Sequence, residues 1–597
     1  MHFLVYVSIE TNKLYTQIVE KVFTADKSGT YVEKKTERFP EGVLLFSSNF
    51  KHISQNELFR KTQNGDWLLV AGLPISKNKD ISILLQHIIN GDLLKSSKLL
   101  QTLDGAFVAI GYSSKNKKIF VITDFLGMQP CYIYIKRKYL ILSNKICSIT
   151  SAIEEEIQMD PAGWGAFISF GHTIGDLTLV KNVKRLPPAF SAEIDTKSLT
   201  ISSYSYWKWP EGQKNKTISE IRTDEIIESL KQDCRDYINY HQPGTILLSG
   251  GFDSRLILAI LKDIGIEPRA LILNHNNELF GLDGRFASKS ANVYNIKNDS
   301  ISTSRSFYSS VDFLDFLRMS EIASPSLYLF ISQVAHNLKN YDKAIWTGDA
   351  VGPAIKVHQP KGSFNEYIKE KTYDWDSIAW IAARNIFRKP RAEEMYEEFR
   401  FSLNKEILKY TDDDIGVTQF VFQNRNRNRT VTNALKVYAN YALPFIPGIS
   451  KKFCNATMCL PYNVKVNGLL ARKLLDEHFP QAMTVPIISG TYIYPRRQKD
   501  YLNFLYSGIN AVQNSKAGKL SDIITKKIFT GSWNGWEESL ILTRAIENVN
   551  SEHYDLCKEQ IEKLQKKKTF LYKGLSYQKR ELLFYWKMWR LLMQNST

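Results

Sequence analysis

Cysteine is scarce in this chain. Six occur in 597 residues, at Cys131, Cys147, Cys234, Cys454, Cys459 and Cys557. No two form a CxxC, which excludes the usual zinc and dithiol redox spacings and leaves Cys454 and Cys459 too isolated for a metal site. So few thiols in partly apolar contexts read as reduced side chains of a cytoplasmic protein. Long apolar runs are missing too. None approaches the roughly 20 residues that cross a bilayer, so no membrane span is expected. Residues 1–10 lack the basic flank and apolar length of a signal peptide. No GxxxxGK[ST] occurs, so γ-phosphate transfer is not indicated. No zinc-finger spacing or RNA-binding signature is present, and no nucleic-acid partner is expected. The net charge of +17 comes from scattered lysines, apart from short runs such as 566–568. It reads as a basic background first, and as a groove for ATP or an acidic partner second.

The remaining composition, 44% hydrophobic and 23% charged, is that of a globular protein. The length exceeds what one core serves, so two or three domains are expected. The organising stretch is 245–260. An apolar run, 246–248, leads into Ser249, Gly250 and Gly251, then Asp253 and Ser254, and the pattern turns helical from Leu256. Strand, glycine turn and helix start build an anion site: glycines let the backbone approach, and the first helical turn offers unpaired N–H groups. Ser249 and Ser254 add hydroxyl donors, and Asp253 adds a hard oxygen suited to Mg²⁺ bridging phosphates. A strand pattern at 269–274 follows, and the alternation of strand and helix argues for a doubly wound parallel sheet. Ligands in such sheets sit at the carboxyl ends of the strands, which groups Ser249, Asn274 and the end of the next strand.

Ser249-Gly-Gly-Phe-Asp-Ser254 resembles the SGGxDS loop of the PP-loop ATP pyrophosphatases, which cleave ATP between its α- and β-phosphates. Upstream, residues 1 to about 205 read as β-rich, with short runs at 3–9, 42–46, 67–71, 106–112, 119–123 and 132–135 and a helix at 81–90. Leu103-Asp-Gly-Ala-Phe, then Asp124-Phe-Leu-Gly-Met-Gln-Pro130, then Leu142-Ser-Asn144, with Lys184-Arg-Leu-Pro-Pro188 and Tyr206-Trp207, resemble the glutaminase half of asparagine synthetase. The chain is thus similar to the asparagine synthetase family over most of 100–480. The resemblance implies an Ntn-hydrolase-like α+β front domain, 1–208, a PP-loop synthetase domain, 217–500, and a helical extension, 501–597, with 209–216 as a linker.

Two departures shape the expectation. Glutamine hydrolysis in the family uses a cysteine freed after Met1, whose thiolate attacks the amide while its α-amine serves as base. His2 stands there, and Thr123 replaces the arginine that precedes Asp124. This implies a degenerate glutaminase domain. Family branches lacking that cysteine include β-lactam synthetases and lasso-peptide cyclases, which use an amine already on the substrate. Second, Thr347-Gly348-Asp349 resembles the start of the family's SGEGxDE motif, but Gly352 and Pro353 stand where its later acids belong.

The resemblance implies an AMP-forming amide-bond synthetase using ATP and Mg²⁺. Ser249, Gly250, Gly251 and Ser254 would hold pyrophosphate, Asp253 and Asp349 the metal, Thr347 and Gly348 the nucleotide, and Leu248 and Leu273 the adenine. Asp283 could compensate for the lost acids. The family's lysine that steadies the charged intermediate has Arg496, Arg497 and Lys499 as its nearest candidates. Arg425, Arg427 and Arg429 alternate in a helical region and cannot form one flat patch, so solvated, capping and phosphate-binding roles stay open. Residues 581–593 are apolar almost all round, as in a helix docked on its own domain or a partner subunit. A homodimer or partner protein is therefore possible, and the substrate is a small-molecule or peptide carboxylate. The competing reading is a pseudoenzyme that binds a nucleotide or partner without catalysis. A tRNA thiolase is disfavoured, because paired catalytic cysteines are absent.

Overall fold

The computed structural model describes residues 2–9, 33–48, 59–75, 97–153, 155–274, 282–302, 310–321, 331–341, 343–357, 362–370, 374–489, 492–494 and 575–593, with isolated positions between them. The front half holds two six-stranded antiparallel sheets. One is built from β1 (His2–Ser8), β2 (Glu33–Phe39), β3 (Gly42–Ser48), β8 (Tyr132–Lys136), β9 (Tyr139–Ser143) and β10 (Val183–Arg185), in the order β10-β8-β9-β1-β3-β2. The other contains β4 (Phe59–Lys61), β5 (Trp67–Gly72), β6 (Phe107–Ser113), β7 (Lys118–Thr123), β11 (Phe190–Asp195) and β12 (Ile201–Ser205), in the order β12-β11-β7-β6-β5-β4.

Strand alternation explains why the sheets face each other. Phe3, Val5 and Val7 of β1 meet Trp67 and Leu69 of β5 and Val108 and Ile110 of β6 in one core between them. The intervening residues, Leu4 and Tyr6, Leu68 and Val70, and Phe107 and Ala109, belong to a second core, which continues through the helices into the rest of the molecule. Both faces of these strands are buried, hence their nearly continuous apolar runs. The front half is thus a pair of antiparallel sheets packed face to face. The expected helix at 81–90 lies mostly outside the described residues.

The second half contains a five-stranded sheet: β13 (Thr245–Leu248), β14 (Arg269–Asn274), β15 (Asn298–Ser302), β16 (Ala344–Trp346) and β17 (Leu443–Phe445). Its order is β15-β14-β13-β16-β17 and every pairing is parallel. From β13 the chain winds outward through β14 to β15, then returns to the other side of β13 with β16. The strand order reverses between β13 and β16, the place where loops diverge and leave a crevice. A hairpin of β18 (Ile487–Ser489) and β19 (Tyr492–Tyr494) lies beyond.

Between the halves, 209–216 is held against the second domain: the Gln213 N–H donates to the Cys459 carbonyl at 2.8 Å. After it come a short 3₁₀ turn, Ile218–Glu220, and the α-helix Thr223–Ile238. The Thr217 and Glu220 side chains form a capping box that starts the 3₁₀ turn. The late helix Leu575–Met593 packs against Ile378–Ile386 and reaches the front domain, where Trp589 meets Trp164 edge-on at 6.0 Å and Tyr585 meets Phe167 at 5.1 Å. Its apolar surround is therefore spent on docking across both halves. No helix of the described residues is long and apolar enough to cross a membrane.

Candidate functional site

β13 is short and almost wholly buried, and it ends at Ser249. The backbone turns through Gly250 and Gly251 into the helix Phe252–Asp263, whose N-cap is Gly251. Much of this turn is satisfied internally. The Ser249 N–H donates to the Ser254 hydroxyl at 3.0 Å, and the two hydroxyls lie 3.0 Å apart. The Gly250 N–H donates to Asp283 Oδ1 at 3.0 Å. The Gly251 N–H donates to the Ser249 hydroxyl at a long 3.3 Å.

A residue that the sequence did not single out fixes this turn from behind. Arg255, fully buried, donates to the carbonyls of Ala482 (3.0 Å), Val485 (2.7 Å), Pro486 (2.9 Å) and Gly250 (3.2 Å). It ties the loop to the segment leading into β18, whose Ile488 N–H also donates to the Gly250 carbonyl. Asp283 is the second brace. Burial pushes its carboxyl up to about 6, against the opposing pull of the Gly250 N–H. Asp283 thus supports the loop backbone.

At the neighbouring strand end, Thr347, Gly348 and Asp349 follow β16. Gly348 lies so close to the loop that a Cβ there would sit 2.9 Å from the Asp253 carbonyl carbon and the Ser254 nitrogen. Gly352, one turn on, is packed under the Asp253 carboxyl: a Cβ would come within 2.7 Å of its Cγ and closer still to Oδ2. The position where the resemblance leads one to expect an acid is therefore filled by Asp253 itself. Lys356 ends this segment and donates from Nζ to Asp253 Oδ2 at 2.8 Å. Sequence reading missed it; a lysine four residues past the glycine that replaces an acid was the available signal.

These parts open on one cavity of about 550 Å³. Its lining includes Leu248, Ser249, Asp253, Ser254, Leu273, Thr347, Gly348 and Asp349, together with Asp283, Pro353 and Lys356. Gly250 and Gly251 are not in the lining; they shape the turn instead. Leu247, Leu271, Ile301, Ile331 and Val334 make an apolar wall, while Tyr367, Thr418, Arg425, Thr430 and Tyr438 make a more polar one. Arg496, Arg497 and Lys499 lie outside the described residues.

The electrostatics favour a cation. Asp349 stays partly accessible at the cavity wall, yet burial first and the Asp253 charge second raise its carboxyl to about 7. Asp253 Oδ1 is buried without a hydrogen-bond partner among the described residues. Two crowded carboxylates with an orphaned oxygen could together hold a divalent cation, whose charge would offset theirs. Among the described residues, no cluster of three or more His, Cys, Asp or Glu could hold a metal unaided. Shared coordination is the mode these residues suit.

In the front domain, residues at the family-like positions are structural. The His2 ring is buried with Nε2 2.7 Å from the Ser148 hydroxyl. Asp124 accepts from the N–H groups of Leu126, Met128 and Gln129 at 3.1, 2.9 and 2.9 Å, and burial raises its carboxyl to about 6. Thr123 donates to the Pro187 carbonyl at 2.7 Å. The thiols of the five described cysteines are all pushed up by burial, so none is a ready thiolate.

The arginine run divides between two tasks. It lies on a π-helix, Phe422–Thr430. Arg427 is buried in the seam between the halves and donates to the carbonyls of Gly127 and Gly175, each at 3.0 Å, and to that of Leu186. Arg185 answers from the other side, donating to the Arg427 carbonyl at 3.0 Å and Asn428 Oδ1 at 2.6 Å. Arg427 is therefore a fastener and not a phosphate ligand, whereas Arg425 faces the cavity.

Residues 70–207 match the glutamine amidotransferase domain family. No curated protein matches the chain. Among solved structures, it aligns with the glutamine phosphoribosylpyrophosphate amidotransferase from B. subtilis complexed with ADP and GMP at 11% identity, covering 51% of this chain and 91% of that one, with a TM-score of 0.24. It aligns with a structure described as the allosteric regulatory enzyme of purine biosynthesis at 9% identity, covering 51% and 80%, with a TM-score of 0.23. Superpositions this loose carry no argument. What the comparisons establish is that 70–207, the segment built from β5 to β12, is similar to a glutamine amidotransferase domain.

Proposed function

We propose that this chain is an ATP-dependent, AMP-forming amide-bond synthetase, asparagine synthetase-like, that takes its amine or ammonia from outside. The observation that carries the reading is the cavity at the β13/β16 reversal, where Ser249, Asp253 and Ser254 from one loop meet Thr347, Gly348 and Asp349 from the next. In this reading Leu248 and Leu273 flank the adenine. Ser249, Ser254 and the loop backbone hold the departing pyrophosphate; the long Gly251 N–H bond is the one most readily exchanged for a phosphate oxygen. Asp253 and Asp349 would hold Mg²⁺, which neutralises phosphate charge when bound. Lys356 is a cation beside the reacting groups in this reading, and Arg496, Arg497 and Lys499 remain candidates outside the described residues.

A carboxylate oxygen of the acid attacks the α-phosphorus. The bond from that phosphorus to the α,β-bridging oxygen breaks, and pyrophosphate leaves with the electron pair. The amine nitrogen then adds to the acyl carbon, loses a proton, and AMP departs. The chain's contribution is placement and preorganised charge. Among the described residues, burial raises the Cys131 and Cys147 thiols, which accords with nitrogen taken from outside. Closure of a macrolactam in a peptide, as by lasso cyclases, is the narrower version of the same chemistry.

The test is pyrophosphate release from Mg·ATP with a panel of carboxylic acids. Acid-dependent release that Asp253→Asn abolishes supports the proposal. Failure to bind Mg·AMPCPP, the analogue uncleavable between the α- and β-phosphates, refutes it. Glutamine hydrolysis by the wild type refutes the external nitrogen source. One observation favours a second reading: the Lys356 ion pair already engages Asp253. A nucleotide-binding protein without catalysis would bind Mg·AMPCPP yet release no pyrophosphate with any acid.

A further inference from the structure

The cavity extends beyond the loop residues Ser249, Asp253 and Ser254, and its polar wall has a charge with no counter-ion among the described residues. Thr418, Val421, Arg425 and Thr430 lie along one helical line, spaced three, four and then five residues apart as the α-helix Asp414–Val421 winds into the π-helix Phe422–Thr430. The widening turn keeps Arg425 and Thr430 facing the cavity, while Arg427 points away into the seam. Arg425 is half-buried and makes no hydrogen bond or ion pair among the described residues. Its electrostatic neighbour is His172, a buried imidazole that burial keeps neutral, so it offers no negative charge. The Thr430 hydroxyl, also in the lining, is buried without a partner among the described residues. Lys356, the other cation of the lining, is occupied by Asp253. A guanidinium removed from bulk water is costly unless an anion or acceptors meet it. Its planar fork suits a carboxylate or phosphate bidentately.

We propose that Arg425 is a specificity-determining residue that binds a second anionic group on the acid substrate, so that the acid carries two anionic groups: one carboxylate is adenylated near Asp253, and the other carboxylate or phosphate sits on Arg425 with Thr430 as an auxiliary donor. The proposal rests on the synthetase reading of the cavity and narrows its substrate class.

The experiment is calorimetric binding of glutarate, adipate, 3-phosphoglycerate, butyrate and hexanoate to the full chain, with and without Mg·AMPCPP, for the wild type and Arg425→Met. Arg425 holds no structural bond among the described residues, so the variant is expected to fold, and its melting temperature checks this. The expected result is that at least one acid with two anionic groups binds ten times tighter than either monoanion. Arg425→Met then loses at least tenfold for that acid, Arg425→Lys recovers part of the loss, and Mg·AMPCPP affinity stays within twofold. Glutarate or adipate against 3-phosphoglycerate identifies the second group as carboxylate or phosphate. Equal binding of monoanions, no binding of any acid with two anionic groups, or an equal loss of nucleotide affinity in Arg425→Met overturns the proposal; the last would make Arg425 a nucleotide ligand. Arg425-dependent binding of such an acid without any Mg·AMPCPP binding would keep the anion subsite and discard the nucleotide reading, so the two can fail separately.

Discussion

Gly352→Ala isolates the contact on which the proposed metal site depends. Gly352 lies in the helical turn Val351–Ile355, where alanine is intrinsically favoured over glycine by about 1 kcal/mol. The backbone therefore gains nothing from glycine. The Asp253 carboxyl does: the new methyl would lie 2.7 Å from its Cγ and 2.9 Å from Oδ1. Reaching ordinary contact requires the carboxyl to withdraw by about 1 Å. That movement strains the 2.8 Å bond from Lys356 and shifts one of the two carboxylates offered to the cation. A charge-assisted hydrogen bond of this kind contributes about 1.5–3 kcal/mol, and a misplacement of ~1 Å at a reacting centre costs on the order of a hundredfold. The expected result is Mg·AMPCPP affinity lowered by at least tenfold and acid-dependent pyrophosphate release lowered by roughly a hundredfold, with the melting temperature unchanged or slightly raised. Calorimetry and thermal unfolding on the same preparation separate these effects. Unchanged nucleotide affinity in a folded Gly352→Ala protein would show that the Asp253 position seen here has no part in binding.

Three further perturbations test the fold around this site. Asp233 is buried and accepts from the Gly448 N–H at 2.9 Å, and burial pushes its carboxyl up to about 7. The folded protein thus keeps a proton that the unfolded chain releases near pH 4, and the associated stability is complete below that pH and is lost as pH rises through about 7. Asp233→Asn should melt above the wild type at pH 8 and flatten the profile between pH 5 and 8; parallel profiles would contradict the shift. Trp589→Ala removes a buried indole from the Trp164 contact and should destabilise by about 3–5 kcal/mol in denaturant titration; a loss below about 1 kcal/mol would mean that the late helix is not docked as described. Arg427→Met leaves the Gly127, Gly175 and Leu186 carbonyls without their donor, at a cost of about 1–3 kcal/mol for each buried group left unsatisfied. Earlier proteolysis within 206–217 would report the loosened seam, and unchanged cleavage would argue that the halves are held elsewhere.

Much of the site was legible because its signals are local. A four-residue apolar run, two glycines and the start of an amphipathic helix define a strand, a turn and a helix through backbone preference alone. The same holds for β14 and for the front strands, whose two buried faces give continuous apolar runs. Other elements left weaker marks: β12, exposed along most of its length, and the three-residue β10 and β17 lack a readable period. The π-helix escaped notice because its residues differ little from those of an α-helix; winding is selected by what each side chain meets, Arg427 a seam of carbonyls and Arg425 a cavity.

The sequence by itself determined the glycine turn after β13, the alternation that makes a parallel sheet, and the likeness of 70–207 to an amidotransferase domain. Only tertiary structure decided which groups the turn meets. Asp253 and Lys356 are 103 residues apart, and Arg255 grips carbonyls more than 225 positions away. Such pairs follow from strand order, because β16 returns beside β13 and brings its loop over the first. Local propensity encodes the conformation of each loop; the reversal of the sheet, set by how every strand buries its faces, decides which loops share a cavity and therefore which charges face one another.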